Sequence, residues 1–467
     1  MKRKKIVVEN LAVTAYAAEG KALGRLKGKV IFVEGAVPGD VADILITRNK
    51  KDWAEGKAIK IKEFSKERVE PFCVHFGVCG GCKWQMLPYE QQLKYKQQEA
   101  ADAFKRIGRL AEISILPIIG SVHTIQYRNK LEFTFSNKKF LTPLQLGELG
   151  GNPWPGGALG YHVPRLYDKV IDIFECWLLG DVNNTIRNTL RDFSLANKYS
   201  FYDIREHKGW LRNIIIRHCT TGELMVNLVF GYDDAIERGK ITRHLLDQVP
   251  SITTLLYTIN AKWNDSIYDL ETKTLHGKGY VIEKLGDYSF KISPKSFFQT
   301  NTGQAENLYN VVKNFAALTQ NEIVYDMYCG TGSIGIFLSR FAKKVIGIDV
   351  AEAAIKDAIE NAALNNINHA AFFCGDVIEI CNDAFFNLHG HPDVIIVDPP
   401  RAGLHAKLIN KIIAISPSKI VYVSCNVATQ ARDVHLLNER FSVDILQPVD
   451  MFPHTHHIEC VALLKLR

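Results

Sequence analysis

The chain reads as a multidomain α/β protein: a small N-terminal β-barrel, a central α+β region and a C-terminal, Rossmann-like doubly wound domain. Three observations predict this. At 467 residues the chain exceeds one ordinary core, and about 150 residues per domain suggests three. Residues 6 to 65 alternate short β-rich runs with turn residues, the pattern of a small barrel. Far downstream, a strand, a glycine turn, a helix and a second strand follow one another as a βαβ unit. The boundaries are placed at 1–66, 67–287 and 288–467.

Apolar content of 47% and charged content of 23% are ordinary for a globular protein that buries a proper core. The net charge of +7 is unevenly spread: residues 1–70 hold sixteen Lys/Arg against ten Asp/Glu. A basic module on a near-neutral remainder points to a polyanion, nucleic acid before membrane. The basic start at Met1–Lys5 resembles a secretory leader, but Glu9 interrupts the apolar run. Neither a cleavable signal nor a membrane span is therefore expected, and the cytoplasm is the expected compartment. Ten cysteines are too sparse for a disulfide scaffold, so metal ligation, catalysis or core packing is their expected use.

In the first module the runs Ile6–Val8, Lys29–Val33, Val41–Thr47 and Gly56–Phe64 are the expected strands, with Pro38-Gly39-Asp40 as a turn. Gly20, Gly24 and Gly28 interleave with Lys21, Arg25, Lys27 and Lys29 in a tight, positively charged loop. The stretch from Val30 to Asp40 resembles the TRAM domain, an oligonucleotide-binding-like barrel of RNA-modifying enzymes.

Next comes Cys73-Val74-His75-Phe76-Gly77-Val78-Cys79-Gly80-Gly81-Cys82, whose spacing lets one loop gather its thiolates round a single centre. The fourth ligand must come from elsewhere, and the next cysteine is Cys176. Four thiolates suit an iron–sulfur cluster or zinc, and spacing alone does not separate them. The whole string, through Gln85, resembles the iron–sulfur loop of RNA uridine-5-methyltransferases. That resemblance implies a [4Fe–4S] cluster on Cys73, Cys79, Cys82 and Cys176, despite a Gly/Pro-rich insertion from Gly147 to Gly160 in the gap. Pro88 to Arg109 has a helical pattern. Tyr127-Arg128-Asn129-Lys130, Leu159-Gly160-Tyr161-His162 and Leu211-Arg212-Asn213 offer basic and aromatic groups for RNA phosphates and bases, against a plainer role in strand capping and core packing.

The C-terminal domain opens near Tyr288, and Ser293 to Asn301, containing Gln299, leads into a helix. The strand Ile323 to Asp326 runs into Tyr328-Cys329-Gly330-Thr331-Gly332, and the next strand ends at Asp349, about 20 residues beyond the glycines, where an acidic group grips a ribose. The loop lacks the dinucleotide glycine spacing and is preceded by Asp326. An acidic loop suits a sulfonium better than a pyrophosphate, so S-adenosylmethionine is favoured over NAD. Asp376 would lie near the adenine, with a turn or helix cap as the plainer role. A fourth strand ends in Asp398-Pro399-Pro400-Arg401, a rigid loop able to present acceptors to a flat substrate edge. A fifth, Ile420 to Ser424, delivers Cys425 at its carboxyl end beside a helix from Val427 to Arg440, a position that favours a thiolate.

Taken together, FFQxN, DxYCGxG, DPPRAG, SCN and HxE, in this order, resemble the RNA (uracil-5-)-methyltransferase family. The resemblance implies Cys425 as nucleophile at carbon 6 of uracil and Glu459 as the base that removes the carbon-5 proton. It implies donor or uracil contacts for Gln299, Asp326, Tyr328, Gly330, Gly332, Asp349, Asp376 and Asp398. With the barrel and cysteine loop in front, it lies nearest the 23S ribosomal RNA branch, with transfer RNA the alternative target and a monomer expected. Val427 stands where proline is usual, and Asp349 where Glu is commoner. A non-catalytic RNA-binding or assembly factor is the competing class, opposed by intact Cys425 and Glu459. An enzyme acting on exocyclic amines is disfavoured by Arg401, which stands where those enzymes place a stacking tyrosine.

Overall fold

The computed structural model describes residues 6–110, 112–150 and 156–467; the basic start at 1–5 and residues 151–155 of the insertion lie outside them. The N-terminal strands Val7–Tyr16, Ala22–Leu26, Lys29–Glu34, Trp53–Glu63 and Val41–Asn49 close, in that spatial order, into a barrel. Alternation puts Leu11, Val13, Ile31, Val33 and Ile44 inside. At Gly56 an added Cβ would stand 2.4 Å from Ile44 Cγ2, so the small bore requires glycine there. The predicted turn acid, Asp40, is 1% exposed and accepts from the backbone N–H of Val37 and Ser65 while pairing with Arg68. It fastens the chain where it leaves the barrel.

A second, seven-stranded sheet runs Thr272–His276, Thr254–Ile259, Leu224–Phe230, Leu211–His218, Lys130–Ser136, Ala158–Val163 and Leu166–Asp172. Among the described residues of these strands, Leu224–Phe230 and Thr254–Ile259 pair in parallel and the other pairs are antiparallel, the helix Ala235–Gln248 forming the crossover.

The third sheet carries the candidate site. Five parallel strands lie in the order Ala370–Cys374, Lys344–Asp349, Ile323–Met327, Val394–Val397, Lys419–Ser424, extended antiparallel by Glu459–Leu466, then Phe441–Val449. Helices cover both faces, so its strands read as unbroken apolar runs. Strand order reverses between Ile323–Met327 and Val394–Val397, the switch point where such sheets open a crevice. The eighth strand comes from far upstream: Ser114–Ile115 pairs parallel with Phe441–Val449. Its preceding helix, Tyr89–Arg106, packs on the helix Val427–Leu437. Tyr89–Arg106 and Ser114–Ile115, placed by sequence in the central stretch, thus sit on the C-terminal sheet. Two-residue strands carry no periodicity, and only tertiary pairing reveals them.

Candidate active site

Every strand around the switch point ends at one edge, and the candidate residues follow. Asp326, 1% exposed, accepts a 2.9 Å bond from Gly335 N on one oxygen, while Oδ1 is buried with no protein partner. Burial, with Asp398 and Asp349 nearby, pushes its carboxyl up to about 7. Tyr328, Gly330 and Gly332 all have positive φ, winding the turn tightly at that edge. At Gly332 a Cβ would crowd Phe372 and Ala358 within about 3.0 Å. Asp349 draws the turn in by accepting from Gly330 N at 2.9 Å. The edge is thus acidic and partly unpaired, the complement of a cationic ligand. Asp376, exposed, caps the short helix Val377–Ile380 by accepting from Ile378 N at 2.8 Å.

Cys425 is half-buried at the end of Lys419–Ser424. The register Ser424↔Cys460 sets Glu459 beside it on the adjacent antiparallel strand, although 34 residues separate the two in sequence. The helix after Cys425 starts at Val427 as expected and ends at Leu437. Asn426 caps it, accepting from Ala428 N and Thr429 N, so valine in the usual proline position leaves a well-formed start. The expectation of a favoured thiolate fails for the unliganded protein. Burial, then Glu459 and Asp398, push the Cys425 thiol up to about 11, and Arg401 opposes them. Burial, with the two carboxylates, outweighs the helix terminus.

Arg401 is the residue whose part sequence reasoning missed. Its backbone oxygen accepts from Asn426 Nδ2 at 3.1 Å and Thr429 Oγ1 at 3.2 Å, binding the Asp398 loop to the Cys425 loop. Its side chain lies 3.4 Å from His457 Nδ1 and beside Cys425. Asp398 is pushed up to about 7 by burial. Glu459, 5% exposed, is raised well above the usual carboxyl range by burial and then by Asp398. Gln299 is buried, its backbone oxygen accepting from Asn129 Nδ2 at 2.9 Å.

The four predicted ligand cysteines, Cys73, Cys79, Cys82 and Cys176, line one cavity with His75, Tyr161 and Trp177. Burial raises all four thiols, Cys79 to about 12 and Cys82 to about 11. Among the described residues no three His, Cys, Asp or Glu side chains are grouped to hold a single metal ion. Several expected RNA contacts prove structural. Tyr127, Asn129, Leu159, Arg212 and Asn213 are buried. Asn129 holds the Gln299 loop, and Arg212 binds the backbone oxygens of Asn260 and Asn264 and the Asp265 carboxylate. Basic and aromatic letters look alike in sequence whether they face solvent or pin a loop.

Family comparison decides what this edge belongs to. Residues 267–467 match the tRNA (uracil-5-)-methyltransferase model, and residues 4–59 match the TRAM domain. A Bacteroides thetaiotaomicron protein named as an uncharacterized RNA methyltransferase is 49% identical, over 97% of this chain and all of its own length. The chain belongs to the RNA (uracil-5-)-methyltransferase family. A Chlorobaculum tepidum RNA methyltransferase is 38% identical over 99% of this chain and 97% of its own. The solved Pyrococcus abyssi tRNA (uracil-54, C5)-methyltransferase, in complex with S-adenosyl-L-homocysteine, matches with a TM-score of 0.73 and 30% identity, covering 99% of this chain and 100% of that one. This family member is accordingly an S-adenosylmethionine-dependent RNA uracil-5-methyltransferase with an N-terminal TRAM domain. Among the described residues no helix is long and apolar enough to cross a membrane.

Proposed function

We propose that this cytoplasmic, monomeric enzyme methylates carbon 5 of a uridine in ribosomal RNA through a transient bond between Cys425 and the pyrimidine ring. The observation carrying the reading is the placement of Cys425 and Glu459 side by side on adjacent strands, at the edge where the glycine turn lies. Bound S-adenosylmethionine supplies an electrophilic methyl group on a sulfonium. The acidic edge formed by Asp326, Asp349 and Asp398 suits that cation, and the unpartnered Asp326 Oδ1 faces a deficit of positive charge that it would relieve.

Carbon 5 of uracil is a poor nucleophile until carbon 6 is attacked. Cys425 Sγ, as thiolate, adds to carbon 6, and the electron pair released toward the carbonyl makes carbon 5 nucleophilic. Carbon 5 takes the methyl group as the methyl–sulfur bond of the donor breaks, its electron pair staying on the departing neutral thioether; the product is a saturated ring bonded to Cys425 Sγ. Glu459, whose proton affinity burial and Asp398 raise, removes the carbon-5 proton, and the electron pair re-forms the ring double bond as Sγ departs. Arg401 lowers the cost of the thiolate beforehand. Gln299 and Asp398 contact the donor or the uracil edge in this reading. A stacked base cannot enter, so the uridine is flipped out of a loop or single strand.

The four thiols round one cavity support a [4Fe–4S] cluster on Cys73, Cys79, Cys82 and Cys176, since a bound cationic centre would stabilise thiolates that burial otherwise disfavours. Zinc remains the alternative occupant, and a single ion would need the thiols drawn closer together than they stand.

Transfer RNA is the second reading, favoured by the full-length similarity to the Pyrococcus abyssi tRNA enzyme. Because that similarity extends through the barrel, the barrel does not by itself mark a ribosomal target. Nucleoside mapping of separated ribosomal and transfer RNA, with and without the gene, decides. Loss of 5-methyluridine from ribosomal RNA is the expected result; loss confined to transfer RNA establishes the second reading; no loss in either ends both.

A further inference from the structure

Glu459 opens its strand, and the turn before it is gripped from several parts of the chain. Asp450 and Lys96 form an ion pair of 2.6 Å with both side chains wholly buried. Lys96 Nζ also donates to Phe452 O at 3.2 Å, and Tyr89 OH donates to the other Asp450 oxygen at 2.8 Å. Four residues before Lys96, fully buried Gln92 accepts from His454 N at 2.8 Å through Oε1 and sets Nε2 3.1 Å from His454 Nδ1. His454 O accepts from Lys83 N at 2.8 Å and Trp84 N at 3.0 Å, the two residues that follow Cys82. Tyr127 OH donates to Pro453 O, Asn301 Nδ2 to Met451 O, and Gln304 Nε2 to Asp450 O.

His454 has φ +62, a left-handed conformation that a non-glycine residue keeps only when its surroundings impose it. The turn is therefore shaped by its neighbours. Although His454 Nε2 has no protein partner, the buried side chains of Gln92, Lys96 and Asp450 are paired, and such pairing favours one geometry because slippage would leave a donor or charge unpaired.

We propose that Gln92 and Lys96 are positioning residues for Glu459, setting the turn that aims its carboxylate at the carbon-5 proton. The same clamp joins the cysteine loop to the base, through the two N–H groups on His454 O. This inference rests on the reading of Glu459 as the base, and the order of steps separates the two. Proton removal comes after methyl transfer, so a misaimed base leaves methylated RNA bonded to Cys425.

The test uses full-length protein purified anaerobically, RNA substrate and donor labelled in the methyl group, with Glu459→Gln as reference. That variant is expected to accumulate a labelled protein–RNA band stable in SDS. Gln92→Leu, and Lys96→Met combined with Asp450→Asn so that no buried charge is stranded, are expected to bind donor with parental affinity. They should turn over roughly 100-fold more slowly and accumulate the same band, since a misplacement of about 1 Å has that effect. Absence of the band in Glu459→Gln overturns the base assignment itself. If it forms there, but the clamp variants either turn over at the parental rate or lose turnover without accumulating it, the clamp has no positioning role and the proposal falls.

Discussion

Cys425 and the four cysteines of the upstream cavity share one obstacle and stand in opposite company. Burial pushes the thiol up in both places, to about 11 for Cys425 and for Cys82 and about 12 for Cys79. In the cavity the neighbours of each thiol include the other thiols: Cys176, Cys82 and Cys73 all raise Cys79 further. Arg187 and Arg128 favour the thiolate at Cys176, and Arg128 does so at Cys82; a resident positive centre would favour all four together. Cys425 faces Glu459 and Asp398, with Arg401 opposing them. That balance suits a thiolate needed briefly, at each turnover, when substrate has displaced water. On the proposed reading, one residue type serves as a permanent ligand in the first company and as a cycling nucleophile in the second.

The largest effect separates the two sites outright. Cys425→Ala should lower methylation by at least about 10³-fold while donor affinity stays at the parental value, because the lost group acts only on the pyrimidine. RNA carrying 5-fluorouridine, which has no carbon-5 proton to lose, should trap the parent as an SDS-stable adduct and leave this variant free. Normal turnover without the thiol would place the nucleophile elsewhere. On the other side, anaerobically purified parent should hold about four irons and four sulfides per chain, and Cys82→Ala should lose most of both. One zinc per chain would make the quartet a single-ion site.

A middle-sized effect tests the scaffold beneath Cys425. Gly403 follows Arg401 with φ +78, and a Cβ there would stand 2.4 Å from Asp433 Oδ2, which also accepts from Tyr422 OH and Leu404 N. Gly403→Val should cost about 1–3 kcal/mol of stability, read by denaturant unfolding, through left-handed strain and displacement of that buried carboxylate. An unchanged midpoint would show that the loop tolerates another path.

How far the sequence made this comparison legible differs between its halves. Cys425 was findable because a buried strand leaves a continuous apolar run and because Ser-Cys-Asn falls at its carboxyl end. Cys73, Cys79 and Cys82 were findable because close spacing is itself a geometric statement, whereas Cys176 followed from being next in the chain. What stayed hidden depends on partners far away in sequence. Asn129 looked like an RNA contact and instead holds the Gln299 loop, 170 residues distant. Lys96 sits in a Gln/Lys-rich helix whose letters suggest a solvated face, yet its partner, 354 residues on, is completely buried. The helix cap made by Asp376, the plainer of its two expected roles, follows from its place just after a strand. The lowered thiolate preference of Cys425 was equally out of reach, because it comes from burial first and then from the carboxylates of Glu459 and Asp398, which the fold brings from elsewhere in the chain.

The smallest expected effect probes that electrostatic balance directly. In the unliganded protein, alkylation of Cys425 by iodoacetamide reports the thiolate, and with a pKa of about 11 its rate should rise roughly tenfold per pH unit between 7 and 10. Arg401 lowers that pKa and Glu459 raises it. Removing the cation in Arg401→Gln therefore disfavours the thiolate, shifting the profile to higher pH and slowing alkylation at any fixed pH below it. Removing the acid in Glu459→Gln shifts the profile the opposite way and speeds alkylation, though the same change impairs product release. Shifts of about one unit in opposite directions, with the cavity cysteines protected by their occupant, are expected. Should both substitutions move the profile the same way, access rather than charge controls Cys425, and its contrast with the cysteine quartet would no longer be electrostatic.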